Sequence, residues 1–200
     1  MEHPLDSHWN VVKRILRYLK GTLFYGLHFH PASFNSSASL RAFCDVDRAY
    51  DVDDKRFTSS VAIFLGPNLV SWWSRKQQVI AQSSTEAEYR SLAQTFVELS
   101  WISKLLTKLQ VPFCSPVLYC DNHSVVYTAH NPVFHHKTKH MEIDVFFVRE
   151  KILLKQLQVS HVHALDQWAD ALTKPLSSSR FIFLRSKLNL KAFSSEKSSS

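Results

Sequence analysis

The chain has 200 residues, enough for one compact domain with a sizeable core and short appendages. Its apolar fraction is 45% and its charged fraction 20%, ordinary for a globular protein, and three glycines are too few for either common Gly-rich phosphate loop. Lysine and arginine outnumber aspartate and glutamate by 24 to 17, and the net charge of +7 favours an anionic partner, of which nucleic acid is the usual one.

Ser7 to Lys20 reads as a helix with Val12, Ile15, Leu16 and Leu19 on one apolar stripe and Gly21 as its stop. Tyr25 to His30 reads as a short strand, and Pro31 to Ser39 as a linker rich in Ser and Asn. Three strands follow: Leu40 to Asp45, Phe57 to Leu65 and Leu69 to Gln77. A polar turn at Asp51 to Arg56 separates the first two, and a hairpin turn at Gly66-Pro67-Asn68 the last two. The pattern then changes to a long helix, about Thr85 to Leu109. There Leu92, Phe96, Leu99, Ile102, Leu106 and Leu109 step by 4, 3, 3, 4 and 3 residues along one face, and Pro112 is expected to end the helix. Val117 to Asp121 reads as a short strand leading into a helix from Asn122. A further helix, Thr138 to Lys155, carries Met141, Val145, Val148 and Ile152 on one stripe. Leu157 to His163 reads as the last strand, and Asp166 as the N-cap of a helix from Gln167 to Thr173. Ser194 to Ser200 is a low-complexity tail. This order describes a mixed sheet with helices on both faces.

Cys44, Cys114 and Cys120 form no CxxC pair, and an odd count argues against a disulfide framework, which fits a reducing compartment. No apolar run reaches membrane-spanning length, and Met1 to Trp9 lacks the layout of a signal peptide.

Four acids sit at informative places. Asp45 and Asp121 close strands, where open α/β sheets keep their sites. On the long helix, Glu88 lies four residues before Leu92 and continues the buried stripe. Glu86, two residues earlier, points about 200° away from it at 100° per residue. Asp170 stands beside the stripe Leu165, Ala169 and Leu172. Each also has a plainer reading: a turn residue at Asp45, a dipole-complementing acid at Glu88, a helix cap at Asp121 and a solvated position at Asp170. Together they make an acidic cluster of the kind that divalent cations relieve. Paired ions in such a cluster activate water and stabilise a leaving phosphodiester oxygen.

Five stretches then carry a resemblance: Ser83-Ser-Thr-Glu-Ala-Glu-Tyr-Arg-Ser-Leu92, Leu118-Tyr-Cys-Asp-Asn122, Asn131-Pro-Val-Phe-His135, Thr138-Lys-His-Met-Glu-Ile-Asp144, and Asp166-Gln-Trp-Ala-Asp-Ala-Leu-Thr-Lys-Pro-Leu176. In this order they resemble the ribonuclease H region of copia-type retrotransposon Pol polyproteins, especially those of plants. Trp9 to Gly21 resembles the stretch that joins reverse transcriptase to that region, and the resemblance extends to about Leu190. It implies a ribonuclease H-like α/β fold: a mixed five-stranded sheet, its first three strands antiparallel, flanked by helices. It implies cleavage of the RNA strand of RNA–DNA hybrids with two Mg2+ ions, Mn2+ being a substitute. The family's catalytic and metal-binding tetrad maps onto Asp45, Glu88, Asp121 and Asp170; the choice of Asp45 over Asp47 rests on the resemblance alone. The implied organisation is the end of the reverse transcriptase region at 1–37, the ribonuclease H-like domain at 38–190 and a disordered tail at 191–200. The implied partners are an RNA–DNA hybrid and the upstream reverse transcriptase, with no membrane. The implied location is the cytoplasm, in the virus-like particle of the parent element, or the nucleus.

The chain departs from the family pattern at Arg48-Ala49-Tyr50, at Ser59-Ser60-Val61 and at Phe146. Arg48 beside the acids would compete with metal or touch phosphate. These departures keep a second reading open, a catalytically decayed fragment that only binds nucleic acid or a polyprotein partner. No polymerase Tyr-x-Asp-Asp, protease Asp-Ser/Thr-Gly or integrase zinc module occurs, and the chain reads as a fragment. Arg75, Lys76, Asn122 and Lys139 are the candidate nucleic-acid contacts, with a solvated basic face, or helix capping for Asn122, as the alternative. His135, His136 and His140 lack a fourth ligand at zinc-finger spacing. Trp72 and Trp73, adjacent on a strand, face opposite sides, and one is expected in the core.

Overall fold

The computed structural model describes residues 5–31, 37–48, 56–131 and 142–193, with backbone alone at Arg48. The strands are β1 (Tyr25–Leu27), β2 (Leu40–Arg48), β3 (Phe57–Leu65), β4 (Asn68–Lys76), β5 (Val117–Cys120), β6 (Gln158–His161) and β7 (Leu190–Ala192). The helices are α1 (Asp6–Gly21), α2 (Ser84–Lys108), α3 (His123–His130), α4 (Glu142–Leu153) and α5 (Ser178–Lys187), with two 3-10 turns at Ala164–Asp166 and Trp168–Leu172.

The main sheet has five strands in the order β4-β3-β2-β5-β6. β2, β3 and β4 form an antiparallel meander, whereas β5 and β6 run parallel to β2. The mixed ribonuclease H-like sheet expected from the sequence is therefore the observed one. The β3–β4 turn is tight because Gly66 takes φ +58°, a left-handed conformation that glycine adopts without a Cβ penalty.

Strand alternation divides the core in two. Leu40, Ala42 and Cys44 of β2 pack with Val61, Ile63 and Leu118 beneath Leu92, Phe96 and Leu99 of α2. Phe43 of β2 faces the other way, with Ala62, Phe64, Ala169 and Leu188. There its ring stacks 4.5 Å from Trp168 and 5.0 Å from Tyr119. The α2 stripe is buried from Leu92 to Leu106.

The stripe stops short of Leu109, which is 62% exposed because the helix has already ended at Lys108. The terminator is Gln110 at φ 56°, not Pro112: Val111 N–H donates back to Leu106 O at 3.0 Å and Gln110 N–H to Thr107 O at 3.1 Å, a Schellman closure. Lys155 ends α4 in the same way, at φ 55°.

Other boundaries also moved. Gly21 is the last residue of α1, and Thr22 caps it by donating its hydroxyl to Tyr18 O at 2.9 Å. The first short strand stops at Leu27 because its partner is the three-residue β7. Residues 191 and 192, expected in the tail, belong to that pair. The helix expected from Gln167 to Thr173 is instead a 3-10 turn. Its cap is the Gln167 side chain, which accepts from Ala169 N–H, and Asp166 closes the preceding turn. The stripe on α1 exists, but Val12, Ile15, Leu16 and Leu19 are all exposed. Lys139, Met141, the histidines 135, 136 and 140, the turn at 49–55 and the tail from 194 lie outside the described residues.

Candidate active site

β2 and β5 run side by side, with Phe43 opposite Tyr119, so their C-terminal ends open at the same edge of the sheet. That register sets Asp45 and Asp121 near each other, although 76 residues of chain separate them. The first turn of α2 crosses this edge. Asp45, Glu88, Asp121, Cys44, Cys120 and Ser91 line one crevice there. Asp170 arrives from the other face on the 3-10 turn, held by three anchors. Gln167 Nε2 donates to Cys44 O at 3.0 Å, Ser60 Oγ donates to Ala169 O at 3.1 Å, and Arg180 Nη2 lies 3.6 Å from Asp170 Oδ2. Buried Ser60 belongs to one of the segments that departs from the family pattern, and here it fixes the turn that carries Asp170.

The structure thus brings Asp45, Glu88, Asp121 and Asp170 together. It also places a residue that sequence reasoning left out. Lys174 Nζ lies 2.7 Å from Asp170 Oδ1 and 3.1 Å from Asp45 Oδ1, while Thr173 Oγ1 donates to Asp45 Oδ2 at 3.2 Å. The available signal was the i, i+4 spacing of Asp170 and Lys174. Burial pushes the Asp45 carboxyl up to about 6, against the opposing pull of the Lys174 ammonium. Burial likewise raises Glu88, against a hydrogen bond from Asn122. Burial alone would depress the Lys174 ammonium, but its bonds to Asp170 and Asp45 prevail and hold it above its usual range.

The other half of the crevice differs. One ligand atom each from Glu88, Cys120 and Asp121 lies within 4.8 Å of the others. Among the described residues, none forms an ion pair with Glu88 or Asp121. Cys44 and Cys120 face each other across β2 and β5, and the Cys120 contact together with burial keeps the Cys44 thiol well above its ordinary range. Asn122 caps α3 by accepting from Ser124 N–H at 2.8 Å, and its side chain also bonds Glu88.

Glu86 points away from the crevice, as helix geometry requires, and is nonetheless buried. Its carboxylate accepts from Gln82 N–H at 2.8 Å and pairs with Arg90 at 2.8 Å. Arg75 and Lys76 lie on edge strand β4, two strands from Asp45, and line a separate groove with Trp73, Val97 and Trp101. The Arg75 guanidinium sits 5.4 Å from the centre of the Trp73 ring. Trp73 packs against the core, whereas Trp72 is 53% exposed.

The chain is similar to retrovirus-related Pol polyproteins from plant transposons. The polyprotein from transposon RE2 of Arabidopsis thaliana is 46% identical over 182 residues, which cover 90% of this chain and 12% of that protein. The one from transposon RE1 of the same plant is 44% identical over 191 residues, 95% of this chain and 13% of that protein. The one from transposon TNT 1-94 of Nicotiana tabacum is 32% identical over 181 residues, 90% and 13% respectively. The chain thus spans about an eighth of the curated relatives it matches. No family model matches it. Among solved structures it is similar to LC11-RNase H1, isolated from compost by a metagenomic approach. The TM-score is 0.52 at 15% identity, over 66% of this chain and 90% of that one. A structure of that protein in complex with an RNA/DNA hybrid matches with a TM-score of 0.50 at 14% identity, over 67% of this chain and 93% of that one. The chain belongs to the family of the retrovirus-related Pol polyproteins of plant transposons, matches about an eighth of their length, and has the ribonuclease H fold.

Proposed function

We propose that this segment hydrolyses the RNA strand of RNA–DNA hybrids endonucleolytically during retrotransposon reverse transcription. The observation that carries the reading is the convergence of Asp45, Glu88, Asp121 and Asp170, from four separate elements, at one edge of the sheet. Partly buried carboxylates repel one another unless a cation joins them. The ammonium already lodged between Asp45 and Asp170 indicates that the cluster suits cations.

The oxygen-rich donor set fits two Mg2+ ions, with Mn2+ as a substitute, held by these four residues. When bound, the ions supply an activated water and stabilise the leaving 3′ oxygen. The chain's own residues contribute orientation. Asn122 fixes the Glu88 carboxylate through its hydrogen bond, and the caps on α3 hold Asn122 in turn. Gln167 and Ser60 fix the turn that presents Asp170. Arg75, Lys76 and Lys139 provide positive charge for phosphates without reading sequence.

On this reading residues 1–37 are the end of the reverse transcriptase region, and 38–190 the ribonuclease H-like domain. The exposed stripe of α1 is then a surface that the upstream reverse transcriptase covers. The protein would act in the cytoplasm, in the particle of the parent element, or in the nucleus. Among the described residues no helix is long and apolar enough to cross a membrane.

The test is cleavage of a labelled hybrid with Mg2+ or Mn2+. RNA-strand cutting that Asp121→Asn and Glu88→Gln both abolish supports the reading, and unchanged cutting by Glu88→Gln refutes it. A binding-only role is the second reading, favoured by the departures from the family pattern at Arg48 and Tyr50. It requires salt-dependent hybrid binding without any cutting by the folded wild type.

A further inference from the structure

The two halves of the acidic crevice are not equivalent. In one half both oxygens of Asp45 are engaged, by Lys174 Nζ at 3.1 Å and Thr173 Oγ1 at 3.2 Å. Both oxygens of Asp170 are engaged too, by Lys174 at 2.7 Å and Arg180 at 3.6 Å. In the other half the Glu88, Cys120 and Asp121 ligand atoms lie within 4.8 Å of one another, and no ion pair among the described residues neutralises either carboxylate. A compact ammonium bridging two carboxylates occupies the position that a divalent ion joining the same two oxygens would need.

We propose that Lys174 is a resident counter-cation of the Asp45–Asp170 half, so that this chain takes up divalent ions one at a time. Glu88 and Asp121 would hold the first ion while Lys174 stays in place. Asp45 and Asp170 would become available to hold a second only once the ammonium has left them. The inference rests on the metal-dependent reading above and adds a residue and an order of events to it.

Three features support the arrangement. The Lys174 side chain is 34% exposed, against 4% for Asp45, so its stem has solvent into which to swing while the carboxylates stay fixed. Lysine is a point charge on a flexible stem, unlike the planar arginine fork, and suits a cation that must leave. The anchors of the 3-10 turn are Gln167, Ser60 and Arg180, so departure of Lys174 leaves Asp170 held in place. While resident, Lys174 prevents two buried carboxylates from facing each other bare. Once released, its ammonium is at the rim of the crevice and available to a phosphate.

The test is Mn2+ binding to the full chain without substrate, by calorimetry and by electron paramagnetic resonance of free Mn2+. Wild-type protein is expected to bind one ion, with the second at least tenfold weaker. Lys174→Met is expected to strengthen that second site at least tenfold, and Lys174→Arg, which keeps a cation there, to leave it weak. In EDTA the Met variant should melt lower than wild type, and saturating Mn2+ should close the gap. Two ions of equal affinity on the wild type overturn the proposal without any need for a folded variant. So does a second site in Lys174→Met no tighter than in wild type. If the hybrid is cut while either of these holds, only the counter-cation role fails. If no ion binds wild type or variant and no hybrid is cut, the metal-dependent reading falls and takes the proposal with it.

Discussion

Gln167 donates its side-chain amide to the carbonyl of Cys44 at 3.0 Å, across 123 residues of chain. The bond ties the turn before Asp170 to the strand residue before Asp45, so it sets the distance between two elements that each carry one acid. Gln167 is fully buried, and its other side-chain atom accepts from Ala169 N–H at 3.3 Å.

Gln167→Ala therefore removes the side-chain partner of two buried backbone groups and opens a cavity. We expect a loss of roughly 2–4 kcal/mol in urea unfolding. We also expect weaker Mn2+ binding, because Asp170 is no longer fixed relative to Asp45. A loss below about 0.5 kcal/mol would show that Ser60 and Arg180 suffice to hold the turn.

Asp45 gives the metal-free protein a distinct pH dependence. Burial raises its folded value from 3.8 to about 6, so between these limits the folded state binds more protons than the unfolded one. The stability tied to its neutral form is present at low pH and declines as pH rises from about 4 to about 6, by up to about 3 kcal/mol. Glu88 and Asp144, both raised by burial, act in the same sense. The difference in stability between Asp45→Asn and wild type, followed by unfolding in EDTA, should grow in favour of the variant across that window. Parallel curves from pH 4 to 7 would contradict this account of Asp45.

Glu86 and Glu88 should separate stability from ion binding. Glu86 accepts from Gln82 N–H and pairs with Arg90, both at 2.8 Å, and its own N–H donates to Ser83 Oγ at 3.1 Å. Glu86→Ala should cost about 1–3 kcal/mol and leave Mn2+ binding within a factor of two. Glu88→Ala should weaken Mn2+ binding at least tenfold and change stability by less than about 1 kcal/mol, since it removes one of several mutually repelling carboxylates. A titration in which Glu86→Ala is the variant that loses the ion would reverse the assignment.

Trp72 and Trp73 offer a packing control remote from the acids. Trp73 packs on the core, and its indole N–H donates to Glu98, which also accepts from Ser71. Trp73→Ala should cost about 2–4 kcal/mol by loss of burial and of that bond. Trp72→Ala, at a 53% exposed position, should cost about 0.5 kcal/mol or less. Equal costs in thermal unfolding would show that the two faces of β4 are buried alike.

The amino-acid sequence determined what depends on neighbours a few residues apart. Alternation marked β2, β3 and β4 to within a few residues, and the stripe from Leu92 to Leu106 marked the buried face of α2. The same helical arithmetic turned Glu88, and not Glu86, toward the crevice. What depends on distant chain meeting distant chain was left to the tertiary structure. The three-residue strand β7 carries no periodicity and exists because it finds β1 across the fold. Helix arithmetic turned Glu86 away from the crevice but did not show that it is buried, where Arg90 and the Gln82 backbone satisfy it. Gln167 caps its turn in place of Asp166 because its amide also has a carbonyl of β2 within reach. Lys174, read alone, is an ordinary surface lysine. Folding brings Asp45 from β2 beside Asp170, and one ammonium between two carboxylates is a relation that no local pattern can encode, because Coulomb attraction depends on separation in space and not along the chain.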